Sequence, residues 1–271
     1  MRSLYQFTAV IWLLAGGAFI ALAVQVRTAW LENQEPALLS GYILGALMLF
    51  LAAFNLRKRM SMVPVGRAAY WTMAHSVGGV LAIAIYFLHT GSLWPTGAYE
   101  QVLALLVYAV TLSGMFGYVF QRITPRCLTQ SGIEVIYERV PAELSDIRDR
   151  VEELIREATA ETGSDTLARH YLETLAWFFR RPRNAWSHVV GGRHGISWIR
   201  REFNTVSRYL NDTERDYLGQ INHLATVKDR IDLHYAVQRV TKYWLFFHVP
   251  VSAALLVMAV WHVILVHVYI L

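Results

Sequence analysis

His75-Ser76-Val77-Gly78-Gly79-Val80-Leu81-Ala82-Ile83-Ala84-Ile85-Tyr86-Phe87-Leu88-His89 lies inside an apolar run that extends from about Ala68 to Thr90 and contains no Asp, Glu, Lys or Arg. About 20 such residues in a helix cover the hydrocarbon thickness of a bilayer, and soluble domains rarely show runs of this kind. Four further runs share the property: about Phe7 to Val26, Leu38 to Leu56, Val102 to Phe120 and Tyr243 to Leu271. Composition agrees, with 55% of the 271 residues hydrophobic, 17% charged and a mean hydropathy of +0.33. Trp and Tyr, which favour the membrane–water boundary, are abundant at 9 and 14. The expected fold is all-α: a five-span transmembrane helix bundle with a helical insert between spans four and five. Residues 1–121 hold spans one to four, 122–240 the insert and 241–271 the fifth span.

Loop charges give the orientation. Arg57, Lys58, Arg59 and Arg67 lie between spans two and three, and Arg122 and Arg126 follow span four. Between spans three and four there is no Lys or Arg, and the first loop has Arg27 beside Glu32 and Glu35. Positively charged loops stay on the cytoplasmic side. The N-terminus and the insert are therefore expected in the cytoplasm of a bacterial-type inner membrane, with the C-terminus periplasmic. Met1-Arg2 before an apolar stretch, with Ala21-Leu22-Ala23 as a cleavage-like site, is similar to a signal peptide. We read it as a retained first transmembrane helix.

The insert reads as helical. Leu144, Ile147, Val151, Leu154 and Ile155 form an apolar stripe with a charged back. Asn211-Asp212-Thr213 offers capping side chains for a helix through Ile221, Leu224, Ile231 and Val237 that can continue into the last span. No Gly-rich phosphate loop or dinucleotide fingerprint occurs, and Gly191-Gly192-Arg193-His194-Gly195 reads as a turn. The net charge of +5 comes partly from the loops, and no basic patch interleaved with aromatics points to nucleic acid. Cys127 is the sole cysteine, which excludes internal disulfides, covalent c-type haem and cysteine-ligated iron–sulfur clusters.

Four of the ten histidines form a pattern. His75 and His89 are fourteen positions apart in span three, and His248 and His262 fourteen apart in span five. Fourteen helical residues return to within about 40° of the starting direction and rise about 21 Å. Each helix therefore presents two imidazoles on one face, near opposite edges of the hydrocarbon. Spans three and five are both odd-numbered and run parallel, which sets His75 level with His248 and His89 level with His262. Facing imidazoles can ligate a haem iron from both sides, so two non-covalent haem b groups are expected, one at each level. Intramembrane histidines are costly and usually functional. Packed histidines bonding between helices would explain one such residue more readily than two equally spaced pairs. Gly78 and Gly79, one turn after His75, are candidates for close approach of the macrocycle, or for ordinary helix packing. Arg67 is a candidate propionate partner, with Arg122, Arg239 and Lys242, although each also suits an interfacial anchor. His170, His188, His194, His223 and His234 in the insert lack a metal-ligand spacing.

The stretch His75-Ser76-Val77-Gly78-Gly79 through Tyr86-Phe87-Leu88-His89-Thr90-Gly91 resembles the first ligand helix of the membrane cytochromes b. Phe246-Phe247-His248-Val249-Pro250 through Trp261-His262-Val263-Ile264-Leu265-Val266-His267 resembles their second, including Pro250 after the first ligand and His267 five residues after the second. The resemblance implies haem ligation by His75, His89, His248 and His262, and a quinone site near His267. It departs in using spans three and five, in its inverted orientation, in lacking a Pro-Glu-Trp-Tyr motif and in carrying the insert. The expected function is transmembrane electron transfer as a subunit of a quinone-linked redox complex, in contact with membrane lipid. Other redox subunits would dock on 122–240, and a periplasmic cytochrome or iron–sulfur protein is a further expected partner. The alternatives are a stand-alone transmembrane reductase of a periplasmic acceptor, or a scaffold or transporter using histidines for ions or protons.

Overall fold

The computed structural model describes residues 2–32, 36–59, 66–130, 132–133, 135–183, 185–192 and 194–269. Glu35, Arg193 and Leu271 lie outside these residues, as do the side chains of Arg57, Lys58, Arg59, Arg126 and Cys127. Among the described residues all regular structure is helical. Five helices are long and apolar enough to cross a membrane: α1 Arg2–Leu31, α2 Pro36–Arg59, α3 Ala68–Thr90, α4 Ala98–Gln130 and the apolar part of α10, Asp212–Tyr269.

Helix α3 coincides with the apolar run because both ends carry stop signals. Arg67 is extended at the N-cap, and Gly91 takes a left-handed conformation (φ 62°) from which its N–H donates to the Phe87 carbonyl. That C-terminal geometry suits glycine, which has no Cβ to clash. By contrast α4 continues past the apolar limit through Pro125 to Gln130. Hydrocarbon thickness sets the apolar length, not where hydrogen bonding ends.

The chain divides into two compact units, Met1–Val119 with Trp244–Leu271, and Phe120–Tyr243. In the first, α3 packs on α1 and α2. Its core takes Leu22 and Val26 from α1, Leu44 from α2, Ile85 and Tyr86 from α3, Ala104 and Val107 from α4, and Leu255 from α10. Leu13, Leu14, Ile20, Leu112 and Val257 point outward, each at least 63% exposed. In water such surface would be penalised by about 25 cal/mol per Å². Lipid tails are as apolar as these side chains and carry no such penalty.

The second unit has a core of the soluble kind. Helix α5, Val140–Thr162, buries Leu144, Ile147, Val151, Leu154 and Ile155. These meet Phe178 and Phe179 around α7 (Ala176–Phe179), Ile199 and Phe203 of α9 (His194–Val206), and Ile221 and Ile231 of α10. The short helices α6 (Thr166–His170) and α8 (Ala185–Val189) complete the unit. Helix α10 begins with a reciprocal cap: Glu214 N–H donates to Asn211 Oδ1 at 2.8 Å, and Asn211 N–H to Glu214 Oε2 at 3.0 Å. This capping box satisfies two donors at the start of a 58-residue helix.

Against that core lies a buried charged group. Lys228 Nζ donates to Asp232 Oδ2 at 2.5 Å and to the Arg181 carbonyl at 3.1 Å, and sits 4.0 Å over the Phe178 ring. Arg183 N–H donates to the same carboxylate, and His188 Nε2 lies 3.4 Å from Asp229 Oδ1. Burial outweighs the mutual attraction of the pair, pushing the Asp232 carboxyl up to about 6 and the Lys228 ammonium below its usual range. Breaking such a pair from one side strands a charge. Lys228→Met should lower stability by about 3–5 kcal/mol, and Lys228→Met with Asp232→Leu should recover most of the loss. Denaturant unfolding of the detergent-solubilised chain, followed by circular dichroism, checks this. An equal loss in the single and double variants would refute it.

Candidate paired-histidine site

All four patterned histidines belong to the first unit and are half-buried. Helix α2 runs antiparallel to α3, since Leu51 meets Gly78 while Gly41 meets His89. Helix α4 runs antiparallel to α10, since Gly117 meets Trp244 while Tyr99 meets His262. The result is two levels of side chains.

At one level the His89 and His262 rings meet edge to face, with centroids 6.4 Å apart and planes at 86°. His89 Nδ1 is 3.0 Å from the Ala37 carbonyl and 3.2 Å from Ser40 Oγ. A carbonyl only accepts, so Nδ1 carries the proton and Nε2 keeps its lone pair. Ser40 Oγ lies 3.1 Å from the Pro36 and Ala37 carbonyls, to which its own proton goes. Tyr99 stacks on His262 at 6.1 Å and 14°, anchored by its hydroxyl to the Met258 carbonyl at 2.6 Å.

At the other level His75 is close enough to His248 for their charges to interact. His75 packs on Phe54 at 5.0 Å, and its Nδ1 is buried with no partner at hydrogen-bonding geometry; the Leu51 backbone interacts with it only outside that geometry. His248 Nδ1 lies against Ser113 Oγ, and Trp244 stacks on the His248 ring at 5.5 Å. Trp244 Nε1–H donates to the Ser113 carbonyl at 2.8 Å.

These residues fit bis-imidazole ligation. Two metal–nitrogen bonds of about 2 Å set ring centroids about 6 Å apart, close to the His89–His262 spacing. His75 Nδ1 has no partner at hydrogen-bonding geometry and His89 Nε2 keeps its lone pair, so each ring has a nitrogen able to serve a metal. Among the described residues no group of three or more His, Cys, Asp or Glu converges as a metal site. Each pair thus offers two ligands, too few for tetrahedral zinc and the number needed by an iron whose other ligands come from a macrocycle.

The remaining candidates fall in different places. Gly78 is buried against α2, where a Cβ would come 2.9 Å from Leu51 Cδ2, whereas Gly79 faces open space. Arg67 is exposed at the N-cap of α3. In the second unit Lys242 is committed to Glu138 at 2.5 Å, and Arg239 lies 5.8 and 5.5 Å from the Tyr235 and Tyr243 ring centroids. His267 has both ring nitrogens engaged: Nδ1–H donates to the Val263 carbonyl, and Nε2 accepts from the Tyr42 hydroxyl, each at 2.7 Å. Ser40, Ser113 and Tyr99 were not legible as site residues, because serine and tyrosine in an apolar helix carry no spacing signal.

A Cβ on Gly117 would come 1.9 Å from the Trp244 ring. Gly117→Ala should therefore displace the indole and destabilise the bundle by about 1–3 kcal/mol. Gly79→Ala meets nothing within 4 Å and should raise stability by about 0.5–1 kcal/mol, the usual helical preference. Thermal unfolding of the two variants in parallel checks the contrast.

Comparison with protein-family models, curated proteins and solved structures finds no match.

Proposed function

We propose that the chain is a di-haem b-type membrane cytochrome that carries electrons across the bilayer as a subunit of a quinone-linked redox complex. The observation that carries this reading is the pair of histidine levels on α3 and α10: His89 beside His262 with ring centroids 6.4 Å apart, and His75 near His248. Haem, when bound, supplies a one-electron iron centre at each level. His75 with His248, and His89 with His262, would hold the two iron centres. The open space beside Gly79 leaves room for a flat group, and Arg67 is placed to meet a carboxylate at the end of α3. The insert, 122–240, is proposed as the cytoplasmic docking surface for a donor or acceptor subunit. The chain carries no flavin or nicotinamide motif, so its electrons must come from and go to other partners. The orientation with a cytoplasmic N-terminus rests on the loop charges.

Quinone is proposed at the Tyr42–His267 pair. Here His267 holds one proton on Nδ1 and Tyr42 presents another to Nε2. At this pair the donor to a quinone carbonyl would be the Tyr42 hydroxyl, while His267 Nε2, which holds no proton of its own, would be the acceptor for a quinol hydroxyl.

A pyridine haemochrome assay should find two non-covalent b haems per chain. His75→Ala and His248→Ala should remove the same haem, and His89→Ala and His262→Ala the other. Absence of haem from well-folded protein would overturn the reading, and loss of one common haem in His75→Ala and His262→Ala would overturn the pairing. His267→Leu should keep both haems yet slow exchange with a quinol analogue at least about tenfold, equivalent to about 1.4 kcal/mol. An unchanged rate would remove quinone from that pair.

A further inference from the structure

Two of the helices that carry no patterned histidine bear the same dipeptide against an imidazole. Ser40-Gly41 of α2 meets His89, and Ser113-Gly114 of α4 meets His248. In each case the serine Oγ contacts Nδ1, and the following glycine lies under the Cε1 edge of the same ring. A Cβ on Gly41 would come 3.0 Å from His89 Cε1, and one on Gly114 would come 3.7 Å from His248 Cε1. Thus one member of each histidine pair is held at Nδ1 by a serine, and His89 is also closely backed at its flank by Gly41. The other member is not held in this way. His75 Nδ1 has no hydrogen-bond partner, and His262 is held by ring stacking on Tyr99.

We propose that Ser40-Gly41 and Ser113 are positioning seats that fix the ring planes of His89 and His248, one seat for each level. The inference rests on the di-haem reading. Ser40 spends its proton on the Pro36 and Ala37 carbonyls, so it can only accept from His89, with Ala37 accepting alongside, which also sets the Nδ1–H tautomer of that ring. Ser113 Oγ bonds His248 Nδ1. In both rings the bond at Nδ1 fixes the plane in which Nε2 is aimed, which is the role outer partners play for ligating histidines. The two seats lie on different helices and at different levels, so each governs one centre only.

The test uses the haem-loaded full chain. Ser113→Ala should change the low-spin electron paramagnetic resonance signal and midpoint potential of the His75–His248 centre alone, and speed its haem loss to an apoglobin scavenger by about 10- to 100-fold. Ser40→Ala should do the same, more weakly, to the His89–His262 centre alone, because Ala37 still accepts from His89. Gly41→Ala, whose Cβ would press on the His89 ring, should disturb the His89–His262 centre alone. Two haems with unaltered signals and loss rates in Ser113→Ala and Gly41→Ala would overturn the seats while leaving the di-haem reading intact. Shifts in both centres from a single serine variant would also overturn them, since a general loosening of the bundle would be the cause. A wild-type chain that binds no haem would overturn the di-haem reading and the seats with it.

Discussion

An imidazole inside hydrocarbon has two nitrogens to satisfy and no water to satisfy them. A polar group left bare in such a medium costs several kcal/mol. The arrangement of this bundle follows from how that demand is met. His267, near the end of α10, spends both nitrogens within the protein, on Val263 and Tyr42. His89 and His248 spend one each, on Ala37 with Ser40 and on Ser113. His75 has a nitrogen with no partner.

Chain direction does the rest. Equal spacing lets the two pairs match level by level, and the direction of the helices decides which residues meet; parallel neighbours need a crossing between them. Here α4 and the insert provide it. The insert builds its own core around α5. Its charged group of Lys228, Asp232, Asp229 and His188 is tolerated because backbone and carboxylate oxygens surround the ammonium. Within hydrocarbon the same group would have few partners outside itself, and the apolar part of α10 accordingly carries no Asp, Glu, Lys or Arg.

Much of this was legible in the sequence. The apolar runs gave five membrane-length helices, since nothing but helix satisfies a single strand of backbone in a bilayer. The bounds of α3 were readable because charge stops at Arg67 and glycine follows Thr90. The stripe on α5 was readable because its period is that of a helix with one dry face. Helix ends beyond the membrane were legible in part: the Asn211 cap that starts α10 at Asp212 could be read, whereas the continuation of α4 through Pro125 could not. The two glycines after His75 read alike, yet Gly78 is a packing residue against Leu51 and Gly79 borders open space. Only the rotation of α3 against α2 separates them, and no single-helix pattern encodes that. The buried Lys228–Asp232 pair was equally hidden, because an i, i+4 charge pair normally marks a wet face.

The inequality within each pair has a physical logic. Ordering a side chain in a binding geometry costs about 0.5–1.5 kcal/mol when it must be done at the moment of binding. A ring already fixed by a hydrogen bond and a close backbone has lost that freedom during folding. Fixing both rings, however, would demand that two helices and two seats agree to within about half an ångström, the tolerance of a working site. One held ring and one adjustable ring relax that demand. The held ring defines the direction of approach, and its partner settles against stacking surfaces such as Tyr99 or Phe54, which are tolerant of small rotations. The proposed seats also divide between α2 and α4, so in the di-haem reading neither α3 nor α10 must supply both a ligand and its support. Helix α1 covers the face of α3 with Leu22 and Val26.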